Sequence, residues 1–151
     1  MTQGELCDAL INFFTTQLHA VEIQPDPPFS PDSNLPDLGG GRCELFQGQD
    51  QVGYYTVLQA PNEPDPTEGM RGYEKKPDLG DAVWVYDMRA DERNPSNRVR
   101  FATRVNSWNA VLVIRDTEIR TANGPLHLTD ADKVESVRFL TELTTKFALH
   151  R

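Results

Sequence analysis

Positive charge is almost missing from the first half of this chain. Of fifteen Lys and Arg residues, only Arg42 lies among the first seventy positions, where eleven carboxylates leave a formal charge of −10. Neutralisation of phosphates by clustered cations supplies most non-specific nucleic-acid affinity, so this deficit argues against the chain as a whole binding nucleic acid. No apolar run approaches the roughly 20 residues needed to span a bilayer, which argues against a membrane partner. The acidic N-terminus carries no basic stretch ahead of an apolar one, so no secretory signal is expected. Cysteine is scarce: Cys7 and Cys43 are too few for a disulfide framework. One falls on the apolar side of a helical pattern and the other among strand residues, which predicts two reduced thiols in the core. From these absences we expect a soluble protein of a reducing compartment, either cytoplasmic or part of a virion assembled in the cytoplasm.

Motifs that carry chemistry are also missing. A nucleophile elbow needs G-x-S-x-G, and the sequence has none. Gly39-Gly40-Gly41 beside Cys43 offers backbone N–H groups next to a thiol. A thiolate nucleophile needs a base, however, and His19, His127 and His150 are isolated in sequence. No C-x-x-C or H-x-x-x-H spacing suggests a metal site. Asp26, Asp32 and Asp37 lack the ligand alternation and internal glycine of a calcium loop. The glycine run opens a strand rather than a helix, which removes it as a phosphate cradle. Neither a cofactor nor an enzymatic activity is expected.

What remains is an architecture. A chain of 151 residues with 38% hydrophobic content can bury one core, and eleven Pro with ten Gly predict generous loops. We read residues 1–151 as a single domain with two extensions, a proline-rich arm over 25–41 and a long loop over 60–81. Thr2 and Glu5 have capping-box spacing, and Leu6, Leu10, Phe13, Phe14 and Leu18 recur on one stripe. They predict a helix running to about His19. Pro25, Pro27, Pro28, Pro31 and Pro36 then exclude helix and central strand, leaving an extended arm that ends in a glycine hinge. Phe29, Leu35 and Leu38 either tack that arm to the core or are offered to a neighbour.

Strands are expected over Arg42–Gln47 and Gln51–Gln59, joined by a turn at Gly48–Asp50, and again over Ala82–Asp87, Arg98–Val105 and Trp108–Arg115, with a short one at Glu118–Thr121. Thr129 caps a final helix whose apolar stripe is Val134, Val137, Leu140, Leu143 and Phe147, with Lys146, His150 and Arg151 at its positive end. The expected fold is α+β: a mainly antiparallel sheet of about five to six strands with both terminal helices packed on one face.

Charge returns in the second half, where fourteen Lys and Arg face twelve Asp and Glu. Within Arg98–Val105, strict alternation turns Val99, Phe101, Thr103 and Val105 to the core and Arg98, Arg100 and Arg104 to the opposite face. Arg89, Arg93, Arg115 and Arg120 lie nearby in sequence. Arginine suits bidentate pairing with carboxylate or phosphate. Three readings stay open: a solvated face paired internally, a surface for an acidic protein, or a nucleic-acid contact. Trp84 and Trp108 read as sheet packing, while the Tyr54-Tyr55 pair places one ring on each face. Met70, Arg71 and Tyr73 give the long loop the composition of a contact surface. Candidate interface residues are therefore Arg98, Arg100, Arg104, Asp26, Phe29, Asp32, Asp37, Met70, Arg71 and Tyr73.

An acidic arm and a basic strand face on one chain are complementary, and repeating such a contact closes a ring or builds a stack. In architecture alone, a helix–sheet–helix subunit of this size with protruding loops resembles the tail-completion and head–tail connector subunits of bacteriophages. The resemblance implies copies of the chain itself and neighbouring assembly proteins as partners. The alternative is a small acidic inhibitor, an immunity or anti-defence protein, whose carboxylates engage a basic nucleic-acid-binding partner.

Overall fold

The computed structural model describes residues 1–149, and His150 and Arg151 lie outside it. Helix α1 (Gln3–Thr16) starts at its capping box: Thr2 Oγ1 accepts from the Glu5 N–H, and the Glu5 carboxylate accepts from the Thr2 N–H. It buries Leu6, Leu10, Phe13 and Phe14. It stops a turn before the expected end, and His19 takes a left-handed backbone (φ 59°) as the chain leaves. Helix α2 (Asp130–Leu149) has the same kind of start, with Thr129 and Asp132 exchanging backbone-to-side-chain bonds. Its buried side includes Val137, Leu140, Leu143 and Phe147, whereas Val134, expected on that stripe, is exposed.

Between the helices in sequence runs a seven-stranded antiparallel sheet, larger than the five to six strands expected. Its members are β1 (Gln24–Asp26), β2 (Gly40–Gln47), β3 (Asp50–Gln59), β4 (Glu74–Lys75), β5 (Val83–Asp87), β6 (Arg98–Val105) and β7 (Trp108–Arg115). In space they follow the order β1-β2-β3-β7-β6-β5-β4. The two additional strands, β1 and β4, are the short edges, recruited from the arm and the long loop. Neither has a period-two apolar pattern, because an edge strand needs only backbone pairing on one side. The strand expected at Glu118–Thr121 is shorter, β8 (Arg120–Thr121), and forms a separate hairpin with β9 (Gly124–Pro125).

Period-two alternation puts one side-chain row after another on the helix side. Cys43, Tyr55, Leu112, Phe101 and Val85 are successive cross-strand neighbours in one such row. Both helices cover this face. Phe14 fits only because residue 53 is glycine: a Cβ there would come 2.4 Å from the Phe14 ring. Tyr55 shares a buried hydroxyl bond of 3.0 Å with Thr144 of α2, and Trp108 meets Phe147 edge-on at 4.8 Å. Phe13 and Phe139 join the two helices directly at 4.4 Å.

Two expectations need correction. Cys7 and Cys43 are not separate thiols: they form a disulfide tying α1 to β2, with Cα atoms 5.6 Å apart. Spacing in the sequence cannot show that a helix lies across a strand. Nor does 25–41 end in a hinge, and of the two placements left open for its apolar groups, Leu35 takes the core. Gly40 and Gly41 belong to β2, and residues Leu35–Leu38 form a 3-10 turn with Leu35 fully buried. The arm's carbonyls serve α1: Ser33 and Pro31 accept from the Gln3 and Gly4 N–H groups, orphan donors of the helix's first turn. Only Phe29 and Leu38 stay exposed among its large apolar groups.

Candidate functional site

The outer face of the sheet carries the arginines. Loop 60–81 crosses this face, and its two ends are fixed by different chemistry. At the start, Arg104 Nη1 donates to the carbonyls of Ala60 (2.9 Å) and Glu63 (2.7 Å) and to Asn109 Oδ1 (2.8 Å). Arg104 is thus an anchor for the loop rather than a surface cation. At the far end, β4 pairs with β5, Lys75 lies over the Trp84 ring at 5.4 Å, and the Tyr73 and Tyr86 rings meet at 5.8 Å. Gly72 (φ 97°) lets the backbone rest on the Tyr86 ring, which a Cβ would approach to 2.4 Å.

Between these two anchorages lies a hollow of about 490 Å³, floored by Arg98, Arg100, Tyr54 and the Arg42–Glu44 ion pair, and flanked by Met70 and Tyr73. Arg100 Nη2 donates to the Tyr54 hydroxyl at 3.2 Å. Its Nε is buried with no acceptor of regular hydrogen-bond geometry among the described residues, and the buried Tyr73 hydroxyl has no partner of regular geometry either, with the Arg100 guanidinium beside it. Burial pushes the Tyr73 hydroxyl above its ordinary pKa, and the nearby Arg100 guanidinium opposes that shift. Across the β6–β7 pair, Arg98 stands directly opposite Arg115, which is itself engaged by Glu118 at 3.1 Å. Neither Arg98 nor Arg100 has an ion-pair partner among the described residues.

Of the residues singled out in the sequence, Arg98, Arg100, Met70 and Tyr73 come together here. Arg71 is exposed beside them. The arm residues stand around the β1–β2 edge. Asp26 pairs across the strands with Glu44, and Asp32 and Asp37 are exposed. None of the three forms an ion pair among the described residues. Phe29, Leu38 and Leu58 line an apolar groove that adjoins the arginine hollow at Arg42 and Thr56.

Sequence reasoning missed Tyr54, Arg42 and Glu44 as parts of the site. Alternation turns Tyr54 outward, but only the register puts Glu44, Tyr54, Val113 and Arg100 in one row across four strands. Arg89 also proves different from its neighbours in sequence. It donates to Asp87 (2.7 Å), Asp116 (2.9 Å) and the Leu128 carbonyl (2.8 Å), joining the sheet to the start of α2. Those carboxylates raise its pKa further, and Arg89 in turn holds the Asp87 carboxyl below its usual range against the opposing effect of burial.

Among the described residues no three His, Cys, Asp or Glu side chains converge as a metal-ligand group, and no helix is long and apolar enough to cross a membrane. No protein-family model, no curated protein and no solved structure matches this chain.

Proposed function

We propose that the chain is a non-enzymatic assembly subunit, making head-to-tail contacts with copies of itself and with neighbouring assembly proteins in a ring or stack. A bacteriophage tail-completion (tail terminator) or head–tail connector subunit is the concrete case, a virion component assembled in the cytoplasm. One observation carries this reading: two complementary surfaces are left unneutralised within one chain. Among the described residues Asp26, Asp32 and Asp37 stand exposed without an ion pair, while Arg98 and Arg100 face a hollow whose one carboxylate, Glu44, is held by Arg42. Charges that do not meet within one copy can meet between copies, and repetition in one direction builds a ring or stack. Nearby Phe29, Leu38 and Leu58 add exposed apolar area that a neighbour would cover.

Mass in solution across a salt series tests this. The expected result is an oligomer that dissociates as salt rises, because screening acts on exposed charge pairs. Replacing Arg98 and Arg100 together by Glu should abolish association while the chain stays folded. A monomer at every concentration and salt would overturn the assembly reading. A reciprocal two-fold dimer would correct head-to-tail to isologous contact.

A second reading is favoured by the distribution of acid. All of the first-half carboxylates except Glu44 and Asp65 are exposed, which suits a small inhibitor steered onto a basic nucleic-acid-binding partner. That reading expects a monomer, and it expects Arg98→Glu with Arg100→Glu to leave partner binding intact.

A further inference from the structure

We infer that the hollow under Tyr73 is a carboxylate-binding pocket, and that its occupant is an aspartate from the proline-rich segment of a second copy of this chain. Two guanidinium groups line it without a carboxylate partner among the described residues, and the Tyr73 hydroxyl stands beside one of them. Arg100 Nε and the Tyr73 hydroxyl are both buried, with only the Arg100–Tyr73 approach and no hydrogen bond of regular geometry between them, and Arg98 has no ion pair among the described residues. Roughly 90% or more of buried polar groups in folded proteins are hydrogen-bonded, so a guanidinium N–H and a hydroxyl left with only each other mark a place short of acceptors. The missing group must accept and need not donate. A carboxylate offers about four acceptor sites and no donor, and it matches the planar fork of a guanidinium. The lining's own carboxylate, Glu44, is already taken by Arg42. Tyr54, bonded to Arg100 Nη2 at 3.2 Å, fixes the guanidinium's position before any ligand arrives. Met70 and Val111 supply apolar wall, where a charge-assisted bond gains strength from the lower local dielectric.

The occupant follows from charge and stiffness. Asp26, Asp32 and Asp37 lie on one exposed segment of this chain whose prolines restrict the backbone before contact, so less freedom is lost on docking. The identity of the occupant rests on the assembly reading above, whereas the carboxylate chemistry of the pocket does not.

A peptide spanning residues 24–38 of this chain, titrated to millimolar concentration into the full-length protein, tests both parts by NMR. Amide shifts are expected at Tyr73, Arg98 and Arg100, and the same peptide with all three aspartates replaced by Asn should bind at least about tenfold more weakly. Tyr73→Phe separates recognition from folding. Its hydroxyl makes no hydrogen bond of regular geometry among the described residues, so the melting temperature should change little while peptide affinity falls about three- to tenfold. Equal binding of both peptides, or no response at those amides, overturns the pocket. Oligomers that form without such a response overturn the pocket and leave the assembly reading standing. Carboxylate-dependent binding by a chain that stays monomeric keeps the pocket chemistry but overturns the second copy as its occupant.

Discussion

The two faces of the sheet are built from the same strands and covered by different material. The inner face is sealed by two helices over a continuous apolar cluster in which Tyr55, Phe101, Leu112 and Ile114 are fully buried. The outer face is crossed by one loop, anchored by Arg104 at one end and by Gly72, Tyr73 and Lys75 at the other, over Arg98 and Arg100, which form no ion pair among the described residues. Stability therefore belongs mainly to the first face, and recognition to the second. Strand β6 contributes to both through alternation alone.

Several experiments sharpen or break that division. Phe101→Ala, on the inner side of β6, should lose about 3–5 kcal/mol in chemical denaturation, the usual cost of deleting a buried aromatic. Loss under about 1 kcal/mol would mean the two faces share stability evenly. Next in size is the Cys7–Cys43 bond, which closes a loop of sequence separation 36. A reductant should lower stability by about 2–4 kcal/mol through the freed unfolded chain. Alkylation of both cysteines in the native, unreduced protein would show that the bond is absent.

Gly72→Ala acts on the outer face only. A methyl directed at the Tyr86 ring, on a backbone of positive φ, should detach the loop's far end for about 1–3 kcal/mol. Faster hydrogen exchange over residues 70–76, with α1 and α2 unchanged, is the expected pattern. Equal acceleration in the helices would show that the loop supports the whole fold.

The smallest effect concerns the junction of sheet and α2. Because Arg89 depresses the folded-state pKa of Asp87, that pair's contribution is complete above the unfolded value of about 3.9 and is lost as pH falls through the lower folded value. Stability should thus be insensitive to Asp87 near neutrality and fall in acid. Asp87→Asn should reduce that acid dependence, measured as the slope of the denaturation midpoint against pH. An unchanged slope would exclude the pair as its source.

Much of the fold is legible in the sequence. Strands β6 and β7 have the expected limits, and the turn between them uses Asn106 at φ 54°. Both helix starts sit at their capping residues. These features depend on neighbours within a few positions, so local pattern suffices. The edge strands were not legible, because backbone pairing leaves no side-chain period. The site was half visible: alternation marks Arg98 and Arg100 as outward, but their company of Tyr54, Glu44 and Tyr73 depends on register and on a loop folding back.

By itself, the sequence determined the two helices, the five central strands and which way those strands' side chains point. It also determined that acid and base are segregated along the chain. Only the tertiary structure decided that Cys7 meets Cys43, that Arg104 and Arg89 are internal anchors, and that Arg98 and Arg100 form no ion pair among the described residues. The physical reason is separation. Capping and alternation act over one to four residues, whereas ion pairs, disulfides and loop docking join groups tens of residues apart, which local pattern does not encode.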